Sequence, residues 1–303
     1  MNATALPDLS PAHAESGAEP GPADGSGPSA GRRRHLDVPL LASSAFLALV
    51  VLLALIGPLL VDDPGEQNLL QRLSPPGTDG HVLGTDQLGR DVLARLVIGS
   101  RVSVLVGVTA ALLSGVIGSA IGIMAGYTGG WTDRLLMRLT DVQLAFPTLL
   151  LALAVIGFVG PSLATVIVVL GITGWVSYAR VLRSEVLSLR TREFVEAAQV
   201  MGVPAHRIMA RHMLPNVTGP LATILTLQVG TVILAEAALS FLGLGIPATI
   251  ATWGSMLSDG QLYMGTAWWL AVFPGTALLL TVLSINIAGD AVRDRFDPRT
   301  YTS

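Results

Sequence analysis

The strongest constraint on this chain is a stretch of 38 residues, Val142 to Ala179, without a single charged side chain. As one helix it would be nearly twice as long as the roughly 30 Å hydrocarbon core of a bilayer is thick. Gly157, Gly160 and Pro161 interrupt it near the middle, so the sequence predicts two membrane helices joined by a tight turn at Phe158–Pro161. Further apolar runs lie at Val38–Val61 and Val102–Thr132, with others at about Asn216–Ser240 and Gly265–Ile287. Six crossings follow, and an all-α membrane protein. Composition agrees: 51 % of residues are hydrophobic and 13 % charged, about half the charged share of a soluble domain.

Arginine placement predicts the orientation. All 18 basic residues are arginine. With the amino terminus inside, fourteen of them fall on inner segments: Arg32–Arg34, Arg134, Arg138, six between Arg180 and Arg211, and Arg293, Arg295 and Arg299. Arg72, Arg90, Arg95 and Arg101 fall outside. The positive-inside rule then puts both termini in the cytoplasm. The expected divisions are a disordered cytoplasmic tail at 1–35, a first membrane helix at 36–61 and an external segment at 62–101 carrying a short amphipathic helix. A five-helix core at 102–290 and a cytoplasmic tail at 291–303 complete the chain. No cleavage site follows the first apolar run, so that helix is expected to remain as an anchor.

Several chemistries are excluded. With no cysteine there are no disulfides, thiolate metal sites or Cys nucleophiles. With no lysine, no Walker A loop can form, so any ATP hydrolysis must come from another chain. HExxH is absent and no triad is recognisable, so no catalytic residue is assigned. The formal charge of -3 gives no basic surface for nucleic acid. His81 and Asp86 lack a further ligand at useful spacing, so no metal site is assigned either.

The loop between the fourth and fifth helices, TREFVEAAQVMGVPAHRIMARHMLPN at 191–216, is the most informative part. Phe194, Ala197, Ala198 and Met201 form an apolar stripe at helical spacing. Gly202 is placed to end that helix in a left-handed cap, and Pro204 suits the first turn of a second short helix. The expected product is a compact helix-turn-helix knob, rigid enough to transmit a displacement.

Glu196-Ala197-Ala198, then Gly202, then Leu214-Pro215 resembles the EAA loop of binding-protein-dependent ABC importer permeases. HVLGTDQLGRDVLARLVIGSRVSVLVG at 81–107, SFLGLGIP at 240–247, WGSMLSDG at 253–260 and NIAGDAVRDRFDPR at 286–299 resemble the second permease subunit of the dipeptide and oligopeptide branch. The resemblance covers about residue 36 to the end. Ala-Thr-Ile-Ala-Thr at 248–252 stands where that branch has more proline, which leaves the turn shape there open. The resemblance implies the type I importer permease fold in a bacterial inner membrane. It also implies a related second permease, two cytoplasmic ATPases that bind ATP and magnesium, an external solute-binding protein and a peptide substrate. The two alanines would seat in a groove on the ATPase, with Glu196 either holding the loop or touching the ATPase. A nickel importer permease of the same branch is one alternative; an ion-coupled secondary transporter is another, though it would have no need of the knob.

Other residues leave two readings open. Gly118, Gly122 and Gly126 form a small-residue ladder, for approach to a moving partner helix or for packing within the chain. Asp86 is expected to cap the short external helix; with Arg90 and Asp91 it belongs either to a docking surface for the binding protein or to a structural collar. Glu236 lies inside a predicted span, where a carboxyl is costly. It either lines the path and attracts a peptide's amino terminus, or makes a buried bond between helices. Asp141 is expected near the inner end of the third helix, and Asp290 is expected to pair with a loop arginine.

Overall fold

The computed structural model describes residues 38–61, 64–78 and 80–296. The expected tail at 1–35 and the end of the chain beyond residue 296 lie outside them. Every regular element among the described residues is helical, and β pairing is limited to isolated bridges at Thr78/His81 and Thr85/Asp91.

In chain order the helices are α1 (Val38–Ile56), α2 (Val92–Thr128), α3 (Gly130–Leu144), α4 (Thr148–Val159), α5 (Leu163–Thr173) and α6 (Trp175–Arg190). Three short pieces follow: α7 (Glu193–Val200), α8 (Ala205–Ile208) and α9 (Leu214–Asn216). Then come α10 (Thr218–Phe241), α11 (Trp253–Gln261) and α12 (Trp269–Phe296). Five segments are long and apolar enough to cross a membrane: Val38–Leu59, Val92–Thr128, Leu163–Arg190, Thr218–Phe241 and Trp269–Arg295. The pair α3–α4 makes a sixth only if its two helices, bent by 80°, count as one span. Leu52 and Leu55 of α1 and Leu279 and Leu283 of α12 are exposed, the outward apolar surface that a lipid solvent requires.

The third crossing therefore differs from the straight helix expected after Val142. Pro147 has no N–H to continue the α3 ladder and biases Phe146 away from helical geometry. The helix ends at Leu144 and restarts at Thr148. At twelve residues, α4 spans only about 18 Å. The turn between α4 and α5, at residues 160–162, overlaps the one expected at Phe158–Pro161: Gly160 adopts φ +102° and the Ser162 hydroxyl accepts the Thr165 N–H to open α5.

The external amphipathic helix and the second crossing are one element. α2 runs 37 residues without a break, because nothing between Val92 and Thr128 is a proline and the charge of Arg95 is neutralised inside the fold. The boundary expected at 101/102 cuts through it. Asp91, not Asp86, caps its amino end, accepting the Ala94 N–H at 2.8 Å. Likewise α12 continues beyond the expected boundary at 290, to Phe296. Asp290 is exposed and takes part in no ion pair among the described residues.

α2 is the central post of the bundle. Its glycine ladder lies against α6 of the same chain. A Cβ on Gly122 would come 2.6 Å from the Ala179 carbonyl oxygen, and one on Gly126 would come 2.9 Å from that of Arg183. A Cβ on Gly118 would strike the Trp175 carbonyl. The ladder therefore packs two helices of one subunit together. Where glycine gives way to larger residues, Val106, Ala110 and Ala111 of α2 meet Val166 and Leu170 of α5 and Leu239 of α10 in a continuous apolar core. The Tyr178 hydroxyl closes the α2–α6 seam, donating to the Ala111 carbonyl at 3.0 Å. Arg183 grips Asp133 through two bonds and Arg180 reaches Asp141 at 2.8 Å, tying α3 to α6.

Candidate functional site

Two clusters of predicted residues lie at the two ends of α2. Beside its carboxyl end sits the predicted knob, where Gln199 Nε2 donates to the Tyr127 hydroxyl. Arg192 stands just before α7, its carbonyl accepting the Val195 N–H at 2.9 Å, and the chain turns off after the helix at Gly202, with φ +74°. The Val203 N–H bonds the Ala198 carbonyl at 3.1 Å and the Gly202 N–H bonds that of Gln199 at 3.0 Å, the paired bonds of a Schellman turn. Pro204 stands one position before α8 rather than within its first turn. A π turn, Met209–Met213, then leads to Leu214 and Pro215. Pro215 cannot donate along the helix, and the wider turn before it fits that missing N–H. Leu214 and Pro215 are exposed, at the return into α10.

The predicted stripe is split between two faces. Val195 and Ala198 point inward and, with Ile208 and Met213, pack on Ile123 of α2 and on Leu182 and Val186 of α6. Phe194 (41 % exposed), Ala197, Val200 (88 %) and Met201 (74 %) point outward. Ala198 is thus part of the foundation, and Ala197 alone of the two alanines offers surface. Eight residues with apolar groups on both sides give a short helix that is anchored and still sticky. Glu196 is exposed, with no side-chain bond among the described residues, so it does not hold the loop in shape.

At the amino end of α2 the segment from Gln71 to Asp91 folds back over the bundle. Asp86 is 1 % exposed. It accepts the backbone N–H groups of Leu88 and Arg90, Nε of Arg90 at 2.7 Å, and Nη1 of Arg95. Arg95, 3 % exposed, uses its other nitrogen on Asp259 at 3.2 Å, and Arg90 stands 3.7 Å from the same carboxylate. Two arginines and two aspartates thus lock the external-type segment, α2 and α11 together. Asp86 offers no surface to a docked protein, and Arg90 offers little; of the three docking candidates only Asp91 keeps appreciable exposure, and it is held by His81 at 2.6 Å. Trp253 and Trp269 bond the carbonyls of Leu96 and Thr85 and complete the collar. Arg95, Asp259 and both tryptophans are missed by sequence reasoning, since their partners are far off in the chain.

Glu236 is fully buried. The Ser240 hydroxyl donates to it at 2.7 Å and Ser103 of α2 lies 3.4 Å away. Ser240 in turn accepts the Ile246 N–H at 3.3 Å. The carboxyl is a knot between α10, α2 and the turn after α10. That turn is closed by the Ile250 N–H on the Pro247 carbonyl, and Thr252 caps α11 with Ser255 in a reciprocal box.

Residues 118–301 match the family described as binding-protein-dependent transport system inner membrane component. The chain belongs to that family. The permease is 42 % identical over 250 residues to the dipeptide transport system permease protein DppC of Alkalihalophilus pseudofirmus, covering 82 % of each chain. It is 39 % identical over 254 residues to the oligopeptide transport system permease protein OppC of Bacillus subtilis, covering 84 % of this chain and 83 % of that one. In fold the permease resembles a chain of the MetNI methionine ABC transporter, solved in inward-facing conformations, with a TM-score of 0.55. That likeness, at 20 % identity, covers 66 % of this chain and 95 % of the other. The family match begins inside α2 and leaves α1 and the collar segment outside.

Proposed function

We propose that this permease pairs with a related second permease to form the membrane path of an importer of dipeptides or oligopeptides. Two cytoplasmic ATPases, which bind the ATP and magnesium, drive it, and an external binding protein supplies the peptide. The observation that carries this reading is the α7 knob. An apolar patch of Phe194, Ala197, Val200 and Met201 stands exposed on a helix whose opposite face is sunk into α2 and α6. A push on such a patch moves the core helices instead of dissipating in a loose loop. The peptide relatives supply the substrate class, and the arginine distribution supports a cytoplasmic side for the knob and both termini. Alternating access then follows as a population shift between inward- and outward-open states.

The test is uptake of a labelled tripeptide by vesicles carrying the complete transporter. Uptake is expected to require ATP on the knob side and the binding protein on the other. Uptake driven by a proton gradient without ATP would overturn the reading. In the same vesicles Gly202→Val is expected to strain the Schellman turn by about 1 kcal/mol or more, since a β-branched residue is ill suited to that φ. The subunit should still assemble, because nothing lies within 4 Å of a Cβ built there. ATP hydrolysis should lose its response to loaded binding protein. Unchanged transport by the variant would remove the mechanical role given to this turn.

A further inference from the structure

A recess of about 370 Å³ opens on the flank of the bundle where two helices break at the same place. One wall is the bend between α3 and α4, and another is the step from α5 to α6 at Gly174. α10 forms the third. Gln143 ties the two breaks together, its Nε2 donating at 2.6 Å to the Thr173 carbonyl. Broken helices inside a bilayer are tolerated where they are buried in protein or line a water-filled cavity.

The polar groups in the recess point the same way. Gln228 stands near the middle of α10, and neither its amide nor the Ser177 hydroxyl has a hydrogen-bond partner among the described residues. Thr231 is exposed beside them and, among the described residues, bonds only the Leu227 carbonyl of its own helix. An unpaired amide facing lipid tails would lack both water and partner, at a cost that native spans avoid. Among the described residues, no side chain lining the recess is ionisable. Glu236 lies elsewhere, inside its hydroxyl knot.

Resting on the peptide-import reading, the geometry points to this recess as the wall of the transport path that touches the peptide's main chain. Gln228, Ser177 and Thr231 offer amide and hydroxyl groups that can pair with peptide N–H and C=O groups. Having no charge of their own, they pass acidic, neutral and basic side chains alike.

The chain has no cysteine, so a thiol introduced into it is the single one on this subunit, and labelling is read on this subunit separated from its partners. Gln228→Cys and Ser177→Cys should react with a charged, membrane-impermeant thiosulfonate during turnover, and added tripeptide should slow the reaction. Leu279→Cys, at a position 64 % exposed on α12, should stay unreactive as a lipid-facing control. Gln228→Leu should lower uptake about fivefold, the worth of one hydrogen bond, equally for acidic, neutral and basic tripeptides. Its ATP hydrolysis should still respond to loaded binding protein. Unreactive thiols at both positions, as when a side chain of the second permease fills the recess, would overturn the proposal. So would unchanged uptake by Gln228→Leu, or a loss confined to one charge class. If the parent complex shows no ATP-dependent peptide uptake, the import reading fails; reactive thiols then still support a water-lined path, and unreactive ones overturn it.

Discussion

Arg95→Met is expected to destabilise the folded permease by about 3 kcal/mol, the lower end of the range for breaking a buried ion pair. The methionine replaces the apolar stem of the arginine and lacks only the guanidinium end, so the loss is chiefly one of charge and donors. Asp86 is left with Arg90 Nε and two backbone N–H groups, which is why the lower end applies. Asp259 loses its 3.2 Å partner and keeps Arg90 only at 3.7 Å. The measurement is the unfolding midpoint of the detergent-solubilised subunit, with membrane abundance alongside. Arg101→Met, at an exposed position on the same helix, should change stability by no more than about 0.5 kcal/mol. Adding Asp86→Asn to Arg95→Met should recover part of the loss, because the two residues share one network. A midpoint for Arg95→Met equal to that of the parent would mean that the collar is held by packing alone.

Gly122→Leu should have the other large effect: loss of most of the subunit from the membrane fraction. Its Cβ would lie 2.6 Å from the Ala179 carbonyl oxygen and 3.1 Å from the Ala179 Cα. Backbone atoms of a packed helix cannot rotate aside, so α2 and α6 must separate along the whole seam. Overpacking in a well-filled core costs about 1–3 kcal/mol or more even where side chains can yield. Gly115→Ala, whose Cβ would meet the Tyr178 ring at an ordinary 3.4 Å, should be tolerated. Gly157→Leu faces open space on α4 and should leave abundance near normal. Quantitative immunoblotting of membranes reads all three, and normal abundance of the Gly122 variant would contradict the close seam.

How much was legible in the sequence depended on whether the signal was local. The break at Gly160–Ser162 and the stop at Gly202 were readable because a backbone conformation and its residue stand at the same position. The crossings were readable because the bilayer imposes a length, whereas the interruptions at Pro147 and Gly174 were concealed by the uncharged run. Gly118, Gly122 and Gly126 announced a close helix contact without naming the helix.

Periodicity alone determined that α7 carries apolar residues at helical spacing; only the tertiary structure decided that Val195 and Ala198 face the core while Phe194, Ala197 and Met201 face outward. Both faces of α7 are apolar, one sunk into α2 and α6 and the other left at the surface, so the composition of a face does not report which way it points. The same limit applied to the charges. Asp86 read as a helix cap on either a docking surface or a collar, yet Arg90 and Arg95 hold it in a neutral cluster that Arg95 extends to Asp259, 164 positions away. The sequence by itself determined the crossings, the turns and the knob, because steric and solvation rules act over a few residues. The tertiary structure decided the collar, the Glu236 knot and the polar recess, because each is closed by groups that meet only when distant helices pack.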